Sequence, residues 1–394
     1  MKVLFVNPPT DTGYASWYPP LGIAYLSSCL KQQTTWQTAC CDASIGESPL
    51  QKVKAEQPDL IAFTCTTLGY GNAVKIAAKL RHNNIKTPMI MGGQHISALP
   101  STLPGFFDAC VVGEGENAIV NICRELESSD FLTRRIYSAP RIENLDSLPF
   151  PDRDMFNMQY YLQPQSHSID MVGVGTNMIT SRGCLYRCIF CSSSQFFKAP
   201  VRANSARYVA DEMEMLKEKY RVEYINVWDD LFTFSVERLE DLAFEVHTRK
   251  LDLKLSVQCH APTFTRHVAE LLKRIGVVYC GFGFEASTPK MLEYLKCGVA
   301  TVDDNRRAVM FAHEYGMKAG SGFLTNVPEQ TQADLDANDQ FIAETHLDAY
   351  RKYILCPYPG SPLWSYAKQK GLVSDDMDFT QIFQSENGRN VKLN

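Results

Sequence analysis

The sequence predicts an α/β protein of two domains, each built on a parallel sheet. Its 394 residues are enough for two separate cores. Short apolar runs alternate with helix-forming segments along most of the chain, a pattern typical of parallel strands that are buried on both faces. Glycine, proline or acidic residues follow most of these runs, where strands are expected to end.

Residues 1–130 are predicted to form a doubly wound, Rossmann-like domain. Its predicted strands are 3–6, 60–63, 88–91 and 109–112, and its predicted helices are 21–30, 72–81 and 116–126. Ligands of such sheets bind beyond the carboxyl ends of the strands. The turns at those ends are polar and glycine-rich: Asn7-Pro8-Pro9, 64–69, 92–95 and 113–116. Taken alone, these turns fit a ligand site and ordinary tight turns about equally well.

Residues 131–175 are predicted to be a linker. The segment Leu148-Pro149-Phe150-Pro151-Asp152-Arg153 carries two prolines, which favour an extended, stiff main chain. Few periodic apolar residues lie between 160 and 175, so this part is expected to run along the surface.

Residues 176–366 are predicted to contain six strands, most of them followed by a helix. The predicted strands are 178–180, 224–228, 253–259, 277–284, 317–324 and 353–355. The predicted helices are 205–220, with Ser205 as N-cap, 236–248, 269–275, 303–315 and 333–345. Parallel barrels place their active sites at the carboxyl ends of the strands. Residues 367–394 are predicted to be a carboxyl-terminal tail.

Charge and composition exclude several function classes. The net charge is −5, with acids and bases interspersed, so there is no basic stripe for nucleic acid. No apolar run reaches the length of a membrane span, and no secretory signal pattern follows Met1. The 13 cysteines therefore predict a reducing, cytoplasmic setting and metal chemistry instead of disulfides.

Three closely spaced cysteines are the strongest functional signal. Cys184, Cys188 and Cys191 form a C-x3-C-x2-C run, with Phe190 before the last cysteine. Thiolates are ligands for zinc, copper(I) or iron–sulfur clusters, and a structural zinc site would need a fourth ligand nearby. Three thiolates on a four-iron cubane would leave one iron open for a substrate. The alternative is a chance grouping in a cysteine-rich chain.

This motif resembles that of the radical S-adenosylmethionine (SAM) enzymes. The resemblance implies a partial (β/α)6 barrel and a 4Fe–4S cluster on Cys184, Cys188 and Cys191. It also implies that SAM chelates the fourth iron and is cleaved to a 5′-deoxyadenosyl radical. SAM contacts are implied for residues beside the motif and at the strand ends: Phe190, Asp229, Asp230, Gln258, Glu285 and Ser287. For the aspartate pair, capping of the next helix is the competing interpretation.

The first domain resembles the cobalamin-binding domain of cobalamin-dependent radical SAM enzymes. The resemblance implies cobalamin contacts in its loops and turns: Asn7, Pro8, Pro9, Trp17, Thr66, Leu68, Gly92, Gly93, His95, Gly113, Glu114 and Gly115. His95 is expected to line the site without ligating cobalt. The histidine-bearing loop of classical cobalamin domains is missing, because Pro8 to Pro20 contains Tyr14, Trp17 and Tyr18 but no histidine. A domain that has lost cobalamin is the alternative.

The resemblance implies an enzyme, most often a methyltransferase, that acts on an unactivated carbon of a small molecule. A rearrangement, cyclisation or oxidation with the same cofactors is the second interpretation, and a cobalamin-binding sensor or carrier is the third. The expected partners are a small-molecule substrate and an electron donor such as flavodoxin or ferredoxin, with no nucleic acid and no membrane. The substrate cannot be inferred from the sequence.

Overall fold

A computed structural model describes residues 1–10, 17–129, 131–168, 171–197 and 200–379, together with residues 382, 391 and 393. Two six-stranded parallel sheets dominate this part of the chain. None of its helices is both long enough and apolar enough to cross a bilayer. Tyr14, which was expected at the cobalamin site, lies outside the described residues.

The amino-terminal sheet has the strand order β2-β1-β3-β4-β5-β6. Its strands are β1 Lys2–Asn7, β2 Gln37–Asp42, β3 Leu60–Thr64, β4 Met89–Gly92, β5 Ala109–Val112 and β6 Ile136–Ser138. Its helices are α1 Leu21–Gln33, α2 Pro49–Glu56, α3 Thr67–His82, α4 Gln94–Ala98 and α5 Glu116–Ser129. Successive residues of a strand point to opposite faces. Accordingly Val3 and Phe5 pack into one core and Leu4 and Val6 into the other, which confirms the doubly wound prediction.

The linker contains more regular structure than its sequence predicts. It holds the short helix α6 Met158–Tyr161 and the antiparallel hairpin β7 Gln165–Ser168 and β8 Met171–Gly173. Tyr161 is 2% exposed and donates a hydrogen bond to Asp42 at 2.5 Å. The segment is therefore packed against the first domain at this point.

The second sheet has the strand order β16-β15-β14-β13-β12-β9, so each strand is added beside its predecessor. These strands are β9 Gly175–Met178, β12 Tyr224–Val227, β13 Lys254–Cys259, β14 Val277–Glu285, β15 Lys318–Thr325 and β16 Ala349–Ile354. Among the described residues no pairing joins β9 to β16, so the sheet is a barrel open on one side. This confirms the predicted partial barrel.

Helices follow most of the barrel strands, and a small ribbon lies just after β9. The helices are α7 Ser193–Phe196, α8 Ala206–Tyr220, α9 Val236–Arg249, α10 Arg266–Ile275, α11 Pro289–Lys296, α12 Val302–Glu314, α13 Gln332–Thr345 and α14 Pro362–Gln369. The ribbon pairs β10 Ser181–Arg182 with β11 Arg202–Ala203. Ser205 caps α8 as predicted, because its side chain accepts a hydrogen bond from the main-chain nitrogen of Tyr208 at 3.2 Å.

The first barrel strand begins earlier than predicted. It starts at Gly175 and ends at Met178, where the sequence predicted 178–180. A Cβ atom at Gly175 would fall 1.9 Å from the ring of Tyr224 on the neighbouring strand. Gly175, which was predicted to belong to the linker, is therefore required for the packing of β9 against β12.

Candidate active site

The three motif cysteines lie in a loop after β10, at the barrel mouth. Cys184, Cys188 and Cys191 are each partly exposed. The charges of Cys184 and Cys191 act on Cys188, so the three sulfur atoms are neighbours. Burial raises the pKa of all three thiols, to about 12 for Cys188. In the metal-free protein they are therefore neutral, and binding of a metal would release their protons.

Two neighbouring helices fix the shape of this loop. The main-chain nitrogen of Ile189 donates to the carbonyl of Leu295 in α11 at 3.1 Å. The nitrogen of Leu363 in α14 donates to the carbonyl of Ile189 at 2.8 Å. Just beyond α11, the thiol of Cys297 donates to the carbonyl of Arg187 at 3.5 Å. The loop is therefore held from both sides.

The donor set fits a multi-iron cluster better than a single ion. In the described part of the chain, no three His, Cys, Asp or Glu side chains are grouped so that they could hold a metal ion. A cubane carries its cysteine ligands on separate irons, so their sulfur atoms lie further apart than around one ion. Three cysteines occupy three of the four irons and leave the fourth open.

Asp229 is a buried residue that holds the segment after β9 by hydrogen bonds. It is 2% exposed, and its carboxylate accepts hydrogen bonds from the main-chain nitrogens and the hydroxyls of Thr180 and Ser181, at 2.6–3.0 Å. These four bonds engage both oxygen atoms. The geometry therefore does not support the predicted contact between Asp229 and SAM, nor does Asp229 cap the following helix.

Asp230, in contrast, faces the cysteine loop. It is exposed, and one of its oxygens accepts hydrogen bonds from the Ser193 hydroxyl at 2.7 Å and from the Gly183 nitrogen at 3.2 Å. Its charge adds to burial in raising the pKa of the Cys184 and Cys191 thiols. Of the aspartate pair, Asp230 is the one placed to meet a cationic ligand near the loop.

Glu285 ends β14 in a strained conformation beside the same loop. Its φ is +66°, a left-handed value that is uncommon for glutamate and is often retained at functional sites. Burial raises its pKa to about 7, an effect that the nearby Lys296 reduces. Its negative charge contributes to the raised pKa of the Cys188 and Cys191 thiols, so its carboxylate lies near both. A Cβ atom at Gly283 would lie 2.7 Å from the Glu285 carboxylate, so Gly283 leaves room for it.

The other predicted SAM contacts lie on nearby elements. Gln258 is exposed, and its amide lies over Gly281, where a Cβ atom would be only 2.7 Å away. Ser287 is 9% exposed, and its hydroxyl has no hydrogen-bond partner among the described residues. Phe190 is partly buried against the apolar core that includes residues of α11 and α14.

His260 packs against the cysteine loop. It is 6% exposed, and its ring stacks on that of Tyr186 with centroids 3.8 Å apart. Neither ring nitrogen has a hydrogen-bond partner among the described residues. Burial, aided by Lys296, lowers its pKa to about 4, so the imidazole is neutral.

At the amino-terminal sheet, the first predicted cobalamin residues form part of a packed edge. The Asn7 amide donates to Asp42 at 3.0 Å and to Ser44 at 3.2 Å. The carbonyl of Pro9 accepts a hydrogen bond from Asn72 of α3 at 3.0 Å. Pro8 is buried near the start of the same helix. Internal contacts therefore explain this turn in part.

The next two turns combine open and closed positions. Three of the predicted positions are open to solvent: Thr66 is exposed and Leu68 is partly exposed at the start of α3, and Trp17 is 44% exposed. A Cβ atom at Gly93 would fall 2.5 Å from the carbonyl of Cys65, and one at Gly92 would meet Val111 at 3.6 Å. Close packing of neighbouring strands therefore accounts for the Gly-Gly pair without a ligand.

His95, which was predicted to line the cobalamin site, is buried behind the turn that follows β4. It is 0% exposed, and its ring nitrogens lie 3.2 Å from the hydroxyls of Thr67 and Thr102. Its ring also stacks on Tyr70, with centroids 4.0 Å apart. Burial lowers its pKa to about 4. His95 is therefore a neutral core residue whose nitrogens are both engaged.

Glu114 likewise serves the domain boundary. Its carboxylate pairs with Arg202 at 2.6 Å and lies 3.5 Å from Arg182, and Arg182 pairs with Glu116 at 2.6 Å. The main-chain nitrogen of Ile142 also donates to Glu114 at 2.8 Å. This buried network joins the end of β5 to the β10–β11 ribbon. The predicted contact of Glu114 with cobalamin therefore competes with a fully engaged carboxylate.

Replacing Glu114 with glutamine is expected to destabilise the protein by about 3–5 kcal/mol, because Arg202 would be left buried without its charge partner. Urea unfolding followed by tryptophan fluorescence measures the change. The control is Glu143→Gln, which removes an exposed ion pair with Arg141 worth at most about 1 kcal/mol. Equal losses in both variants would contradict the structural role of Glu114.

A cavity of about 1030 Å³ separates the two domains beside this network. Its walls come from the ends of β4 and β5, from the segment after the cysteine motif and from the start of α14: Gln94, Ser97, Val112, Gly113, Glu114, Ser192, Gln195, Phe196, Gly360 and Trp364. Gly113 has a φ of +86° with open space beside its Cα atom, and Gly115 packs on Leu26. The volume is at the upper end for small-molecule sites and suits a large cofactor.

Aromatic side chains and one cation line the barrel interior. Tyr18, from the first domain, packs edge-on against Trp228 with centroids 5.4 Å apart. The ring of Tyr353 approaches Gly322, where a Cβ atom would lie 3.1 Å away. Arg351 stands beside Gly322 in the register, is exposed, and makes no ion pair with a described residue.

The roles of three charged residues were not predicted: two lie at the junction of the domains and one lies beside the cysteine loop. Asp152 in the linker accepts hydrogen bonds from Ser27 and Lys31 of α1, both at 2.6 Å. Arg153 pairs with Glu212 of α8 at 2.7 Å, and both side chains are fully buried. The Pro-Asp-Arg run was a signal for this junction, because a charged pair after a stiff segment can bind two domains. Lys296 had no comparable signal.

Two family models match the chain in this order: the B12 binding domain over residues 13–123 and the radical SAM superfamily over residues 178–342. An uncharacterized methyltransferase of Pyrococcus horikoshii is 30% identical, over 95% of this chain and 84% of that protein. An anaerobic magnesium-protoporphyrin IX monomethyl ester cyclase of Cereibacter sphaeroides is 26% identical, over 95% of this chain and 65% of that protein.

The fold also matches solved structures. The radical S-adenosylmethionine methyltransferase TsrM of Kitasatospora setae, solved with cobalamin and a 4Fe–4S cluster bound, is similar with a TM-score of 0.75 and 19% identity. The similarity covers 94% of this chain and 75% of TsrM. The two family models match in this order, and the relative from Pyrococcus horikoshii is similar over 95% of this chain. The chain therefore belongs to the cobalamin-dependent radical SAM enzymes.

Proposed function

We propose that this enzyme uses a 4Fe–4S cluster, SAM and cobalamin to methylate a carbon atom of a small molecule. The supporting observation is the cavity of about 1030 Å³, because the strand ends of the cobalamin-type domain form one wall and the segment after Cys191 forms another. A methyl carrier on one wall could thus face a radical generated near the other. All 13 cysteines are free, which fits a reducing cytoplasm.

The cysteine loop and the neighbouring strand ends would together bind the iron–sulfur cluster and SAM. Cys184, Cys188 and Cys191 would ligate three irons, and Asp230 would accept hydrogen bonds from the SAM amine. Glu285 would accept hydrogen bonds from the ribose hydroxyls. Phe190, Gln258 and Ser287 would complete this pocket. When bound, the cluster supplies the electron that cleaves SAM, and an external donor such as flavodoxin or ferredoxin would replenish it.

Cobalamin would lie against the turns of the amino-terminal sheet. The proposed contacts are in the loop after β1 and the turns after β3, β4 and β5: Pro8, Pro9, Trp17, Thr66, Leu68, Gly92, Gly93, Gly113 and Gly115. Asn7, His95 and Glu114 would support these turns from behind. His95 would not ligate cobalt, since both of its nitrogens are already engaged. When bound, cobalamin carries the methyl group.

A cyclisation is the second candidate function. The relative from Cereibacter sphaeroides is a cyclase, and it matches 95% of this chain. Both reactions need the same cysteine loop and the same strand-end turns, so the site does not separate them. A sensor or carrier is less well supported, because such a protein needs neither an open iron nor a polar pocket beside it.

Product analysis distinguishes these functions. The anaerobic protein, reconstituted with iron, sulfide and cobalamin, is reduced with dithionite in the presence of SAM. A methyltransferase is expected to form both 5′-deoxyadenosine and S-adenosylhomocysteine, since removing the methyl group from SAM leaves the latter. A cyclase would form 5′-deoxyadenosine alone, and a sensor or carrier would form neither. Absence of S-adenosylhomocysteine would contradict the proposed methyl transfer.

We also propose that the substrate carries an anionic group and an aromatic body, because Arg351 makes no ion pair with a described residue and lies two residues from the exposed ring of Tyr353, on the same face of β16. Arg351→Gln is expected to weaken binding of 8-anilinonaphthalene-1-sulfonate about tenfold, the loss of one charge-assisted hydrogen bond. Fluorescence titration measures this affinity. Uncharged N-phenyl-1-naphthylamine should bind both proteins equally.

Lys352→Gln is the matched control for this variant. Lys352 precedes Tyr353 on the same strand but points to the other face, where it pairs with Asp339 at 2.6 Å. Its loss removes one positive charge without changing the barrel interior. An equal decrease in sulfonate affinity in both variants would contradict a specific role for Arg351.

A further inference from the structure

A buried lysine beneath the cysteine loop has no charge partner among the described residues. Lys296, the last residue of α11, is 6% exposed. Its ammonium donates a hydrogen bond to the carbonyl of Gly283 and forms no ion pair with a described carboxylate. Lys290, on the same helix, is instead exposed and lies 3.5 Å from Glu329. Lys296 is therefore the lysine of this helix that points inward.

Burying an unpaired cation is unfavourable. Removing an ammonium from water costs several kcal/mol even after the protein relaxes, and one carbonyl hydrogen bond offsets only part of that cost. Buried charges in native proteins are paired or coordinate metals. The position of Lys296 therefore implies an anion that arrives with a ligand.

The surroundings of Lys296 indicate where that anion binds. The positive charge of Lys296 acts to lower the pKa of the Cys184 and Cys188 thiols and of the Glu285 carboxyl, so all three groups lie near its ammonium. Glu285 is no permanent partner, because it lies beyond ion-pair distance. The remaining neighbour, His260, is neutral and carries no negative charge.

The contacts of α11 place Lys296 on the protein side of the loop. The residue before it, Leu295, accepts a hydrogen bond from Ile189, and the residue after it, Cys297, donates one to Arg187. Lys296 therefore lies between two anchors of the loop itself. Only 6% of its surface is exposed, and its ammonium lies beside Gly283, where a Cβ atom would be 3.7 Å away.

We propose that Lys296 is the counter-charge of the iron–sulfur cluster and raises its reduction potential. This inference rests on the proposed function, which requires the cluster. An iron–sulfur cluster with thiolate ligands is an anion, and reduction adds one more negative charge. A fixed positive charge behind the cysteines stabilises the reduced form more than the oxidised form, because the interaction grows with the charge of the cluster. Lys296 is thus a positioning residue that acts on electron transfer through the cluster.

The test is a redox titration of the reconstituted protein without SAM, followed by paramagnetic resonance of the reduced cluster. In Lys296→Met, the ratio of reduced to oxidised cluster at the wild-type midpoint is expected to fall about tenfold, which corresponds to a midpoint lower by 59 mV for one electron. Lys296→Arg should keep the wild-type midpoint. Lys290→Met, which removes an exposed lysine of the same helix, should also leave it unchanged.

Iron content separates the possible failures. A wild-type protein that holds no iron–sulfur cluster would overturn the proposed function itself. A Lys296→Met protein with full iron content and an unchanged midpoint would overturn only the counter-charge role. Reduced SAM affinity with an unchanged midpoint would assign the ammonium to the SAM carboxylate and also overturn it. If the methionine variant binds no iron, Lys296→Gln replaces it in the same titration under the same criteria.

Discussion

Replacing any one of Cys184, Cys188 and Cys191 with alanine is expected to remove the iron–sulfur cluster and abolish formation of 5′-deoxyadenosine. Each cysteine supplies one of three ligands, and a cluster with two protein ligands has no stable site in this loop. Iron and sulfide analysis of anaerobically reconstituted protein measures the loss. The wild type should hold about four irons and four sulfides.

Cys297→Ala is the control for these variants. Cys297 is an exposed thiol whose sulfur contacts the carbonyl of Arg187 within the same loop, but it lies outside the motif. Its loss should leave iron content and SAM cleavage unchanged. Full iron content in a variant with alanine in place of all three motif cysteines would contradict the ligand assignment, and loss of iron in Cys297→Ala alone would identify a further ligand.

The sequence predicted the strands of the fold best where their residues are buried on both faces. The apolar runs at 3–6 and 60–63 coincide with β1 and β3. The edge strand β2 was missed, because its residues Gln-Thr-Ala-Cys-Cys-Asp contain no branched aliphatic side chain. It pairs with the amino-terminal strand β1 on one side only, so main-chain hydrogen bonds define it more than side-chain burial.

The candidate site was predictable where ligand chemistry depends on local spacing. Cys184, Cys188 and Cys191 lie within eight residues, so the sequence shows their arrangement directly. The hydrogen bonds of Asp229 were not predicted, because its partners at 180 and 181 are almost 50 residues away and meet it only after the sheet forms. The partner of Glu114, Arg202, is 88 residues away. Long-range pairing of this kind determines which carboxylates remain free for a ligand.

SAM binding by this enzyme is expected to strengthen as the pH rises from 6 to 8, and replacement of Glu285 with glutamine is expected to remove this dependence. The pKa of Glu285 is raised to about 7, so its side chain is mostly protonated at pH 6 and mostly ionised at pH 8. A carboxylate accepts stronger hydrogen bonds from the ribose hydroxyls than a carboxylic acid does. At pH 8 the glutamine variant should bind SAM about tenfold more weakly, which corresponds to one charge-assisted bond.

The raised pKa of Glu285 also predicts how the stability of Glu285→Gln differs from that of the wild type at different pH values. Because the pKa in the folded state lies above the ordinary value of 4.5, folding binds a proton between these two values. The stability contributed by protonated Glu285 is therefore present below pH 4.5 and is lost as the pH rises through about 7. Glu285→Gln carries no such charge, so in the metal-free protein it should be more stable than the wild type at pH 8 and equally stable near pH 4.5.

Glu329→Gln is the matched control for both measurements. Glu329 also has a left-handed conformation, with a φ of +60°, but its side chain is 82% exposed. Its replacement should change neither the SAM affinity nor the dependence of stability on pH. Isothermal titration with SAM at pH 6, 7 and 8 compares the three proteins. If Glu285→Gln retained the rise in affinity with pH, another group would be responsible for it, and Glu285 would not be the ribose contact.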